Sequence, residues 1–171
     1  MDDEKALWKK CAEFHGHECG GLTIGYKAAL YAKELLDLDF SEDEQVVCIS
    51  EAIDRLGITF SEDEDLVCVT ENDACGVDAI QVILGCSVGK GNLLFHICGK
   101  QAFSFYDRGS GRSVRLVLKE KPREMTKAES FAYYQACEPR EMFDVKETFL
   151  ALPRMLDQIT DRKEEVIEAA E

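Results

Sequence analysis

The order in which the apolar spacing changes along this chain constrains its fold more than any other feature. Residues 4 to 14 carry Leu7, Trp8, Cys11 and Phe14 at intervals of three and four, which puts them on one face of a helix. A second predicted helix runs from Gly21 to Leu36. Its stripe of Gly25, Ala28, Ala29 and Ala32 suits close packing against another backbone. The spacing then switches. Leu66 to Val69 is a short apolar run that reads as a buried strand, and Val77 to Leu84 is helical again. Strands are predicted over 93–98, 102–107 and 113–119, the last two joined by the hairpin signal Arg108-Gly109-Ser110-Gly111. Thr126 and Glu129 form a capping-box pattern that opens a helix to about Ala136. A last helical region is expected from near Asp144, kinked or split at Pro153. Helices, a strand, a helix, a run of antiparallel strands and more helices describe an α+β fold. We expect a mostly antiparallel sheet with helices packed on one face, plus a C-terminal helical region.

A tandem duplication interrupts this order. FSEDEQVVCISE at 40–51 and FSEDEDLVCVTE at 60–71 share eight of twelve positions at an offset of twenty. One extra copy is too few to stack as a repeat protein, so it reads as a local insertion. In the first copy Val46, Ile49, Ile53 and Leu56 recur at helical spacing, and a helix is expected over 42–56. The second copy leads into Glu71-Asn72-Asp73 and is expected to be the strand.

Composition excludes several functions. The formal net charge is −14, from 34 acidic and 20 basic residues. Nucleic-acid affinity needs clustered Lys and Arg, so neither nucleic acid nor an anionic membrane is an expected partner. No apolar run reaches the ~20 residues of a membrane helix, and the acidic start shows no secretory signal, which points to the cytoplasm. In that compartment the eight cysteines are not expected to form a disulfide framework. Cys48, Cys68 and Cys98 lie in apolar runs, and Cys11 and Cys137 in predicted helices. All five read as packing residues.

Cys19, Cys75 and Cys86 remain. Cys19 belongs to His15-Gly16-His17-Glu18-Cys19, which holds two of the three histidines. In an extended loop, residues two apart point the same way, so two imidazoles and a thiol would converge. Imidazole and thiolate are the ligands preferred by zinc and other late first-row metals. The chain contains no C-x-x-C pair, so further ligands would come from a distance, leaving room for an open coordination position. Cys75 is the best distant donor. Like Cys19 it stands just ahead of a predicted helix, where the helix N-terminus favours the thiolate. Cys86 is a weaker candidate, and His96 reads as a structural strand residue. One of Glu71, Asn72, Asp73 and Asp78 is expected to orient a ligating histidine, with helix capping the competing role for Asp73 and Asp78. The stretch Gly85 to Gly91 departs from G-x-x-x-x-G-K-S/T and reads as a turn, with Lys90 a potential anion contact.

These residues resemble a known family. His15-Gly16-His17-Glu18-Cys19-Gly20-Gly21-Leu22 with Gly25-Tyr26 is similar to the opening motif of the formylmethanofuran dehydrogenase E-subunit family. Glu71 through Gln81, Gly85-Cys86, Gly89 through Asn92 and Gly99-Lys100 continue the likeness, which covers roughly residues 10 to 120. The resemblance implies an α+β core, often dimeric, with a metal site in the histidine–cysteine loop. On matching positions it carries over His17, Cys19 and Cys75 as ligands or pocket residues, with His15 a further candidate. The sequence departs from the family in three places: Gly20 stands where a proline is typical, the duplication is extra, and after Cys98 only Cys137 remains for the paired cysteines of a zinc ribbon.

Besides a purely structural domain with buried thiols and no metal, and a redox pair of Cys19 and Cys75 as the alternative to a metal, two functional readings stay open. One is a metal-binding accessory or sensor protein for a metalloenzyme. The other is a metal-dependent enzyme acting on a small molecule, with Asp73 or Glu18 as base. The expected metal is zinc, with nickel or iron as alternatives. Residues 1–125 are expected to form the metal-binding core. Residues 126–171 form a helical region for docking or dimerisation, its thin apolar face beyond Met155 suiting a homodimer.

Overall fold

The computed structural model describes residues 2–38 and 66–146. The expected helix over 42–56, Cys48 and the helical region beyond residue 146 lie outside them. Helix α1 (Asp2–His15) leads into helix α2 (Gly20–Leu36). Strand β1 (Leu66–Thr70), helix α3 (Gly76–Leu84) and strand β2 (Leu93–Phe95) follow. Strands β3 (Ala102–Asp107) and β4 (Arg112–Leu118) make the hairpin. Helix α4 (Lys127–Ala136), a single turn α5 (Pro139–Met142) and strand β5 (Phe143–Lys146) complete the described chain.

The strands form one sheet in the order β2-β1-β3-β4-β5. Only β1 and β2 run parallel, because α3 carries the chain back between them; the other three pairings are antiparallel. The fold is therefore α+β, with helices packed on a mostly antiparallel sheet. β1 has a neighbour on each side and is buried along its whole length, which suits its β-branched composition. Leu66 and Cys68 point with Phe103, Phe105, Val114 and Leu116 into the main core, where Ile24, Ala28, Ala32 and Ile80 meet them from α2 and α3. Each fully buried Leu, Ile or Phe there contributes about 2 kcal/mol of transfer free energy.

The small-residue stripe of α2 meets α3 as expected. Its centre is a backbone contact: a methyl group on Gly25 would overlap the carbonyl of Gly76. No side chain fits between the helices there, so their N-terminal ends lie against each other. The hairpin is closed by Asp107, whose carboxylate accepts the N–H groups of Gly109 and Ser110, both at 3.2 Å, and Gly111 takes the left-handed conformation (φ +70°). The turn after α3 is pinned by Asn92, which accepts from Ser87 N–H at 2.8 Å and donates to the Leu66 carbonyl at 3.0 Å.

Two expectations need correction. The chain from Phe143 is an edge strand paired with β4, not the start of a helix at Asp144. Phe143 is buried and the three residues after it are exposed, so burial does not separate strand from helix here, and the open edge of β4 decides. The strand predicted over 93–98 ends at Phe95. Beyond it His96 N–H and Cys98 N–H still reach the carbonyls of Thr70 and Glu71 (2.9 and 3.1 Å), but the chain turns outward. Cys98 is consequently exposed rather than packed. Cys11 and Cys68 are buried as expected, and Cys137 is partly buried at the end of α4.

Candidate metal centre

α1 ends on His15, and the next residue reverses the chain. Gly16 has φ +88°, a region other residues rarely occupy, while its N–H still bonds to the Ala12 carbonyl at 2.9 Å. Cys19 is extended (φ −156°, ψ 167°) and caps α2, its Sγ accepting the Leu22 N–H at 3.3 Å. His15, His17 and Cys19 are thereby brought together: their ligand atoms all lie within 4.8 Å of one another. The imidazole rings of His15 and His17 are 4.4 Å apart, and His15 Nε2 is 3.9 Å from Cys19 Sγ. The spacing predicts this convergence from an extended loop. It is achieved instead by a helix end, a left-handed glycine and a helix cap.

His15 is held by Asp78. Its Nδ1 lies 2.7 Å from Asp78 Oδ2, and Gln81 Nε2 donates to the other oxygen at 3.2 Å. A carboxylate only accepts, so Nδ1 carries the proton, and in the neutral ring Nε2 keeps a lone pair facing Cys19. This is the carboxylate–histidine arrangement that orients metal-ligating imidazoles. Among the four polar residues around Cys75, Asp78 is the one that meets a histidine. Glu71 binds Arg115 through two contacts of 2.6 and 2.7 Å, and Asn72 closes a turn by accepting from Ala74 N–H and donating to the Lys100 carbonyl. Asp73 is exposed.

Cys75 reaches the same place from the start of α3. Its Sγ and that of Cys19 lie 3.5 and 3.9 Å from the point a methyl on Gly21 would occupy. It stands outside the three-residue group but beside it. The expectation that the α3 N-terminus favours its thiolate is not met. Cys75 is in the right-handed helical conformation and makes no capping bond. Burial pushes its thiol up, and Cys19 pushes it further the same way through its charge and a side-chain hydrogen bond. Cys86 is elsewhere, fully buried in the main core with its thiol toward the Leu66 carbonyl. His96 is half-buried past β2 and outside the group.

A cleft of about 560 Å³ opens beside these residues, walled by Cys19, Gly21 and Cys75 on one side and by Lys127, Ser130 and Phe131 of α4 on the other. Phe131 stacks on Trp8 at 6.3 Å, and the Trp8 indole N–H donates to Glu18 at 2.7 Å. Sequence reasoning misses this α4 wall. Nothing in the spacing of Lys127, Ser130 and Phe131 marks them, because α4 joins the cleft through its packing on α2 and the stacking of Phe131 on Trp8. The donor set fits a late transition metal: two imidazoles, one with a fixed tautomer, and one or two thiols, with a cleft at an open side.

The fold and this cluster define an α+β protein with a cleft-side histidine–cysteine centre. The family described as "FmdE, Molybdenum formylmethanofuran dehydrogenase operon" matches residues 14–55 and 50–168, and the chain belongs to that family. A crystal structure of a tungsten formylmethanofuran dehydrogenase E-subunit (FmdE)-like protein from Syntrophus aciditrophicus superposes with a TM-score of 0.57. It is 21% identical, over 84% of this chain and 70% of that one. A probable S-adenosyl-L-methionine-binding protein of Archaeoglobus fulgidus is 26% identical over 138 residues. That match covers 81% of this chain but only 31% of the relative's length.

Proposed function

We propose that this chain binds a metal ion, zinc first among the candidates, and serves a metalloenzyme as an accessory or sensor. His15, His17 and Cys19 would hold the ion, with Cys75 as a further donor. The observation that carries this reading is the convergence of the three ligand atoms within 4.8 Å, with Asp78 fixing His15. Soft sulfur plus imidazole favours zinc over hard, oxygen-seeking cations. The family description and the name of the S. aciditrophicus protein suggest the partner class, a molybdenum- or tungsten-dependent enzyme.

The cleft favours a second reading, a metal-dependent enzyme acting on a small molecule. A metal there would supply Lewis acidity or an activated water. In this reading Phe131 offers an apolar wall, Lys127 a cation, and Glu18 a carboxylate held by Trp8. S-adenosylmethionine, the ligand named for the A. fulgidus relative, is the first molecule to screen.

The test is the metal content of protein purified without added metal, by plasma mass spectrometry. About one zinc, nickel or iron per chain is expected, lost in both His17→Ala and Cys19→Ala. A wild-type protein that stays metal-free after reconstitution under reducing conditions overturns the proposal. Turnover that needs the metal would favour the enzyme reading over the accessory one.

We extend the proposal to a homodimer. Phe95 and Ile97 are 39% and 54% exposed along the edge strand β2 and the turn after it, an apolar pair suited to a second copy of the chain.

A further inference from the structure

We propose that Cys19 and Cys75 form a reactive thiol pair that a small-molecule disulfide of the glutathione class oxidises reversibly, and that closing their disulfide empties the histidine–cysteine cluster. The second half rests on the metal reading above; the first does not.

The pair is built by the packing of two helix N-termini. The Gly25–Gly76 contact holds the start of α2 against the start of α3, and Gly21 has no side chain to separate the cysteines that precede these helices. Both sulfurs lie within 4 Å of one point. Both also line the cleft, so a small disulfide reaches them from solvent. The other cysteines among the described residues are placed differently. Cys11, Cys68 and Cys86 are fully buried. Cys98 is exposed, but its thiol faces the Glu71 carboxylate. Cys137 caps the C-terminal end of α4, away from the residues that wall the cleft.

The chemistry balances as thiol–disulfide exchange. The thiolate of one cysteine attacks a sulfur of the small disulfide, whose S–S bond breaks and releases one small thiolate. The second cysteine, deprotonated, attacks the protein-side sulfur of this mixed disulfide and expels the second small thiolate. Two protein thiols are oxidised, the small disulfide is reduced to two thiols, and the two protons pass to those leaving groups. Cys19 then has no anionic sulfur to offer the cluster, and His15 and His17 alone hold a metal weakly.

The first arm of the test uses the full chain, reduced, metal-free and then incubated with oxidised glutathione. Peptide mapping without reduction should find Cys19 linked to Cys75, reversed by dithiothreitol. Glutathione on Cys98 without that linkage, or separate glutathione adducts on Cys19 and Cys75, would overturn the pair. The second arm loads zinc and adds the same oxidant. Wild type should lose at least tenfold in zinc affinity, while Cys75→Ser should keep the affinity of its own reduced form. Equal loss in Cys75→Ser would overturn the gating. A wild type that never binds zinc would defeat the metal reading and the gating with it, while the first arm still decides the pair.

Discussion

At the scale of single residues, Asp78 and Glu71 show how two carboxylates a few positions apart take different work. Asp78 lies in the first turn of α3 and is spent on His15. We expect Asp78→Asn to weaken zinc binding about tenfold to a hundredfold, the usual cost of losing such an orienting partner. A chelator competition titration reads this, and an unchanged affinity would remove Asp78 from the site. Glu71 is almost fully buried. Burial alone would raise its carboxyl, but the hydrogen bonds and charge of Arg115 outweigh burial and hold it below the ordinary value of 4.5. A lowered carboxylate contributes its full stability above that value and loses it as the pH falls through the folded-state value. Acid unfolding should therefore steepen below about pH 4.5 in wild type and flatten in Glu71→Gln. At neutral pH, Arg115→Met leaves the buried carboxylate unpaired and should cost about 3 kcal/mol in a denaturant titration. An indifferent Arg115→Met would mean that water or another cation takes over.

Among elements, the decisive contact is α2 against α3. Gly25→Ala places a methyl group into the Gly76 carbonyl, and two helix backbones must part to admit it. Overpacking of this kind costs about 3 kcal/mol. We expect a clear fall in melting temperature and, because the same contact sets Cys19 beside Cys75, a lower yield of their disulfide. A Gly25→Ala variant as stable as wild type would show that the helices have slack. Much of this level is legible in advance. The stripe of small residues in α2, the hairpin at 108–111 and the capping box of α4 all follow from local chemistry, and all are present. β5 is not, because four residues carry too little periodicity to separate strand from helix. The end of β2 escapes for a related reason: an apolar run does not say where its partner strand stops.

For the molecule as a whole, the proposed dimer is the property to measure. Light scattering should give a mass near twice 19.2 kDa, and Ile97→Glu should shift it toward one chain. A single-chain mass for wild type would overturn the dimer without touching the metal proposal. No helix among the described residues is long and apolar enough to cross a membrane, in line with the absence of any long apolar run in the sequence.

By itself the sequence determined the type of fold and picked out the histidine–cysteine group as the candidate ligand set. Spacing separates helix from strand, and a cluster of imidazoles and a thiol within five residues carries its ligand chemistry wherever it folds. It also singled out Cys75 as the distant thiol. Only the tertiary structure decided who assists. Asp78 rather than Glu71, Asn72 or Asp73 meets His15, Cys86 is withdrawn into the core, and α4 supplies the far wall of the cleft. The physical reason is that ligand type is a property of a side chain, whereas partnership depends on which helix ends the core packing presses together.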